Sequence, residues 1–175
     1  MKRLLILVCL LPLLACGSHA PQVSRSAKFD PQLQSQQLYV VPFDTIMVPD
    51  EVSAVLFNLF VDRLNQAGAN RNYEFVILKQ GIKQIDPAWL AERDYLVGEV
   101  YAYIEDVGST ATAIKARGRI RLYQPGQKSA TLVLTLPAEA FYENDYSTPA
   151  KERRNLAEKI STELADQLLL ALFGG

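Results

Sequence analysis

ATAIKARGRIRLY, residues 111–123, alternates almost without a break: Ile114, Ala116, Gly118, Ile120 and Leu122 fall on even positions, and Lys115, Arg117, Arg119 and Arg121 on odd ones. Successive side chains of a strand point to opposite faces, so a period of two predicts a half-buried strand with one apolar and one cationic face. The neighbouring stretches repeat the pattern. In YLVGEVYAYIE (95–105) the even positions Leu96, Val100 and Ile104 are apolar, while Tyr95, Glu99, Tyr101, Tyr103 and Glu105 occupy odd ones; in 131–139, Leu132, Leu134 and Leu136 share one side. DVGS (106–109) and PGQK (125–128) carry turn chemistry. Three strands joined this way form an antiparallel meander, wet on one face and packed on the other.

Outward from the meander, the helices that would cover its apolar face can be read from three- and four-residue steps. Pro49 opens one, with Asp50 and Glu51 beside the positive end of the helix dipole, and Val52, Val55, Leu56, Leu59, Phe60 and Leu64 forming its apolar face up to Gly68. Thr148 caps another, with Pro149 in its first turn; Leu156, Ile160, Leu164, Leu168 and Leu172 run along one stripe, widened by Ala157, Leu169 and Ala171. LYVV (38–41), ended by Pro42, and Tyr73 to Leu78 read as strands flanking the first helix. Asp86-Pro87 starts a brief helix carrying Trp89, expected as a core or lid residue. The expected order is β-α-β-(α)-β-β-β-α over residues 38–173: a single α+β domain, a mixed sheet with two main helices on one face.

The N-terminal segment differs. Met1-Lys2-Arg3 precedes an apolar run from Leu4 to Leu14 broken by Pro12, too short for a spanning helix, which needs about 20 residues. A basic start, a short apolar stretch and then small residues read as a secretory signal over 1–15. Leu13-Leu14-Ala15-Cys16 resembles the lipobox of bacterial lipoproteins. That resemblance implies a diacylglycerol on the Cys16 sulfur, cleavage before it and acylation of the new amine; the plainer alternatives are an ordinary signal peptide with an accidental cysteine, or a buried N-terminal helix. Cys9 and Cys16 are the only cysteines, so the mature domain would hold together without a disulfide. Gly17, where an aspartate would favour inner-membrane retention in this family, points to the outer membrane with the domain facing the periplasm. Residues 16–37, rich in Ser, Gln, Pro and Ala, are expected to be the lipidated cysteine and a flexible tether, with the lone His19 solvated in it.

Composition narrows the function classes. The apolar and charged fractions, 49% and 21%, suit a globular chain. Removing Lys2 and Arg3 with the signal leaves 16 basic against 19 acidic side chains, a formal −3, where a nucleic-acid binder shows a basic excess. The mature domain offers no cysteine nucleophile, no histidine outside the tether, no Walker-type loop and no metal-ligand spacing, so no catalytic residue, metal site or cofactor is expected. Glu139, Glu143 and Asp145, among Phe141, Tyr142 and Tyr146, read first as a solvated connection pinned by its aromatics, and otherwise as a cation or glycan loop. The more informative constellation is the odd-numbered face. Lys115, Arg117, Arg119 and Arg121, with Tyr101, Tyr103 and Tyr123 beside them, read first as a solvated surface paired with Glu99 and Glu105; the same residue types suit a partner protein, self-association or an anionic glycan.

Leu38-Tyr39-Val40-Val41-Pro42-Phe43, a helix, a strand and then Arg93-Asp94-Tyr95-Leu96-Val97-Gly98-Glu99-Val100 resemble a pattern that recurs in small envelope lipoproteins. These are the curli-secretion, Pel exopolysaccharide-export and LPS-assembly lipoproteins and the activator lipoproteins of penicillin-binding proteins. The chain departs from them in lacking a long insertion that could build a membrane barrel and a long Pro-rich arm. The resemblance implies a non-catalytic assembly or export accessory acting through an envelope protein partner or its own copies. Of functional residues it transfers only Cys16.

Overall fold

The computed structural model describes residues 20–69, 71 and 73–174; the signal segment, Cys16 and His19 lie outside the described residues. In chain order the elements are β1 (Gln22–Arg25), β2 (Gln37–Val40), β3 (Asp44–Thr45), α1 (Asp50–Gly68), β4 (Glu74–Ile77), a 3-10 turn (Ile82–Gln84), α2 (Pro87–Ala91), β5 (Tyr95–Val107), β6 (Ala111–Tyr123), β7 (Leu132–Glu143) and α3 (Pro149–Phe173). The sheet runs β1-β7-β6-β5-β2-β4, with β3 also pairing β5. The β5, β6 and β7 strands form the antiparallel meander, whereas β2 lies parallel to both β4 and β5. This is the expected mixed α+β sheet.

The even positions of β6 build the core, as their alternation requires: Ile114, Ala116, Ile120 and Leu122 are buried in one cluster with Leu156, Ile160, Leu164 and Leu168 of α3, which in turn packs on α1 with its buried Leu56, Phe60 and Leu64. The caps are those the sequence specifies. Thr148 Oγ1 accepts from the Lys151 N–H at 3.3 Å, and Asp86 Oδ1 from the Ala88 N–H at 2.9 Å. Gly118 lets α3 approach β6: a Cβ there would lie 2.6 Å from Ile160 Cγ2 and 2.9 Å from Leu164 Cδ1. Gly118→Val should therefore destabilise the fold by about 2–3 kcal/mol, the cost of overpacking, as a lowered urea midpoint.

Two expectations are corrected. The first is the tether. From residue 22 the chain is structured: β1 pairs antiparallel with β7, Gln22 opposite Thr135 and Arg25 opposite Leu132. The Ser26 N–H then continues the pairing to the Thr131 carbonyl at 2.8 Å. Beyond it Leu33 is buried, Asp30 exchanges two hydrogen bonds with the Gln124 side chain (3.0 and 2.8 Å), and the Gln34 N–H donates to Asp94 Oδ2 at 2.9 Å. Burial pushes the Asp94 carboxyl up, against the opposing pull of the Gln34 N–H. QVSR carries no apolar alternation because β1 buries no side chain; it contributes backbone pairing that covers part of an open sheet edge.

The second correction concerns phase. The β5–β6 register shifts between Tyr101 and Ile104, with Ala102 in the left-handed region at φ 53°. One extra residue in a strand turns every later side chain to the other face. Ile104, expected inside, is exposed opposite Lys115, whereas Tyr103 and Glu105, expected outside, turn toward the helices. Tyr103 therefore leaves the candidate face, and Glu105 is not a partner of its cations.

Candidate functional site: the open sheet face

With the helices on one side, the odd positions of β6 project from the other. Neighbours follow from the register: Ile104, Lys115 and Glu139 form one row, Tyr101, Arg117 and Pro137 the next, then Glu99, Arg119 and Thr135, then Val97, Arg121 and Val133. Lys115, Arg117, Arg119, Arg121 and Tyr101 thus come together as their spacing predicts; Tyr103 does not.

Three of the four cations on this face are paired with carboxylates. Glu99 accepts from two arginines, Arg119 at 3.0 Å through Oε1 and Arg121 at 2.6 Å through Oε2. Arg119 Nη2 also donates to the Tyr101 hydroxyl at 2.6 Å, its guanidinium carbon 4.6 Å from the ring centroid. Lys115 pairs with Glu139 at 3.2 Å. Burial alone would lower the Arg121 guanidinium, but the bond and charge of Glu99 outweigh it and hold the group above its ordinary value. Tyr95 stacks on Tyr123 at 4.8 Å with planes 5° apart. Arg117 makes no ion pair among the described residues; it borders a shallow depression of 240 Å³ lined by Ala102, Ile104, Lys115, Pro137 and Glu139. Chemically, such a face offers planar aromatic and guanidinium groups already ordered by Glu99 and, among the described residues, one cation outside any ion pair, Arg117.

Other candidates resolve differently. Trp89 packs edge-on against Tyr39 (centroids 4.9 Å) while the Arg93 guanidinium lies 4.1 Å from its ring centroid, so its ring is engaged on both accounts. The loop before α3 is not pinned by its aromatics: Tyr142 is buried, but Phe141 and Tyr146 are exposed. Asn144 holds it, accepting from Thr112 Oγ1 at 2.8 Å and donating to the Gly108 carbonyl at 3.0 Å. A polar cluster that sequence reading missed lies under the helices. Arg153 of α3 bonds both carboxylate oxygens of Glu105 (2.6 and 2.8 Å) and Glu51 of α1 at 2.6 Å, and the Tyr103 hydroxyl donates to Glu105. Nothing in the alternation marks it, because the bulge that creates it carries an ordinary alanine.

Among the described residues, no helix is long and apolar enough to cross a membrane. No family model and no curated protein sequence matches the chain. Solved structures do share its fold. The PelC dodecamer from Paraburkholderia phytofirmans matches with a TM-score of 0.54 at 12% identity, over 83% of this chain and 96% of that one. Protein XCC0632 from Xanthomonas campestris matches at 0.54 and 13%, over 86% and 91%. The hypothetical protein CT253 from Chlamydia trachomatis matches at 0.55 and 9%, over 79% and 98%. At these identities the likeness establishes the fold.

Proposed function

We propose that this chain is a non-catalytic lipoprotein held to the outer membrane through Cys16, facing the periplasm and serving assembly or export in the cell envelope by binding protein. The address rests on the lipobox-like Leu13-Leu14-Ala15-Cys16. The observation that carries protein binding is the ordered face: Glu99 holds both Arg119 and Arg121, Glu139 holds Lys115, and Arg119 bonds Tyr101, so tyrosine and arginine groups stand in fixed positions with three of the four cations already engaged. Interfaces between proteins are enriched in Tyr and Arg, whereas a polyanion site needs unopposed cations. That a protein of the same fold forms a dodecamer supports assembly as one use of such a surface. Extraction in a mild detergent, followed by mass determination from light scattering, should return a discrete multimer or a complex of fixed stoichiometry. A bare monomer at all accessible concentrations, with no membrane protein retained, would contradict the reading.

A second reading has one observation in its favour: Arg117, outside any ion pair among the described residues, borders its shallow depression and could receive an anionic glycan or the headgroup of LPS. Charge reversal by R117E and R119E should then weaken glycan binding at least about tenfold; unchanged binding removes this alternative.

A further inference from the structure

The β1–β7 register fixes the end of the sheet from which the chain enters β1. Gln22 lies opposite Thr135 in an antiparallel pair, so the chain before it heads toward the far end of β7. Cys16 lies six positions before Gln22, and Phe141 six positions after Thr135. At about 3.3 Å per residue each stretch spans roughly 20 Å. Cys16 therefore has the reach to lie level with Phe141, at the end of the sheet that carries the β5–β6 turn.

Four of the large apolar side chains that stand in solvent lie at this same end. Ile104, Val107, Phe141 and Tyr146 are 59%, 69%, 70% and 83% exposed. Phe141 is opposite Ala113, Val107 opposite Thr112, and the Tyr146 N–H bonds the Glu143 carbonyl, so all four border the last rows of the meander. Tyr146, with an apolar ring and a polar hydroxyl, suits a membrane interface, and exposed apolar groups gathered at one end of a sheet, Ile104 and Phe141 on its open face and Val107 on the other, mark an interaction surface. The exposed charges around them are mixed: the carboxylates Asp106, Glu143 and Asp145 stand beside Lys115, opposite Ile104 and paired with Glu139, and Lys151 in the first turn of α3, a set that suits zwitterionic headgroups.

We propose that the domain rests on the lipid surface by this end, with Val107, Phe141 and Tyr146 entering the headgroup region of the leaflet that holds the Cys16 lipid, and the Arg/Tyr face standing upright and free. The proposal rests on the anchoring of Cys16. Each side chain reinforces the anchor, and together they set the orientation in which the protein-binding face is presented.

The test uses the full, processed chain reconstituted in phosphatidylethanolamine–phosphatidylcholine vesicles with brominated acyl chains. In a Trp89→Phe background, Phe141→Trp and Val107→Trp each place a single indole at the proposed contact, and Leu170→Trp places one at the opposite end of α3, at a side chain that is also exposed. Bromine quenching should be at least about threefold stronger for the first two than for the third. Equal, weak quenching in all three, with the Cys16 lipid confirmed by intact mass, overturns the docking and leaves the anchor standing. A blue shift at 141 and 107 without quenching means that a second copy or another protein covers this end, and also overturns it. A product without lipid overturns the anchor and the docking together.

Discussion

Phe60→Ala should lower the unfolding free energy by about 4 kcal/mol, the upper part of the range for truncating a buried aromatic. Phe60 is fully buried in α1, its ring 5.0 Å from that of Phe43, which in turn meets Phe57 at 5.5 Å. Phe43 lies just before β3 and covers Gly98 of β5, where a Cβ would stand 2.2 Å from a ring carbon. The aromatic cluster thus ties the segment between β2 and β3, the first helix and the central strand at one point. Truncation removes the ring's transfer energy and leaves a void that Phe43 cannot fill without vacating Gly98. Domain stabilities run to about 5–15 kcal/mol, so the variant should retain little of its resistance to urea. A midpoint shift equivalent to less than about 1 kcal/mol would show that the cluster is loosely packed.

Arg153→Ala should cost about 2–3 kcal/mol at neutral pH, from one paired charge-assisted contact and one single contact in a half-buried setting. Its hydrogen bonds hold the Glu105 carboxyl below the usual range, with burial pulling the other way and Tyr103 adding a further bond. Because that pKa is lower in the folded chain than in the unfolded one, the contribution is complete above the unfolded value of about 4.3 and disappears as pH falls through the folded value. The parent protein should therefore lose stability on acidification below about pH 5, and Arg153→Ala should flatten that part of the curve. Arg153→Lys keeps the charge and loses the two-pronged geometry, so an intermediate loss is expected. Denaturant midpoints of the three proteins between pH 3 and 7 separate these outcomes; parallel curves would remove Glu105 from the pH dependence.

Alternation and helical periodicity made most of the sheet and both long helices legible, because each element buries one face and its sequence must say which. Ala116, Gly118 and Ile120 point inward and Arg117 and Arg119 outward for that reason. The same logic failed at residue 102. Extending the phase of Leu96 and Val100 to Ile104 assumes an unbroken ladder, and the bulge at Ala102 carries no glycine or proline to announce itself. Tyr103 turns to the helix side with it, and the Arg153–Glu105–Glu51 cluster that results has no signature in the alternation. The β1 strand was illegible for another reason: its side chains are all exposed, and its placement depends on backbone pairing with β7. On the candidate face, the identity of the cations was readable but their pairing was not. Glu99 could be named as a partner from cross-strand position, yet only the register reveals that it serves both Arg119 and Arg121, and that Glu139 takes Lys115. The exposed apolar end escaped notice because single surface hydrophobes are ordinary until four converge on one edge.

Intact-mass spectrometry of the protein purified from its native membrane bears most directly on the claim that a lipidated cysteine places this fold in the envelope. A chain beginning at residue 16, heavier by a diacylglycerol and an amide-linked acyl group, is the expected product. A chain that still carries residues 1–15, or one that begins at a free thiol, would contradict it.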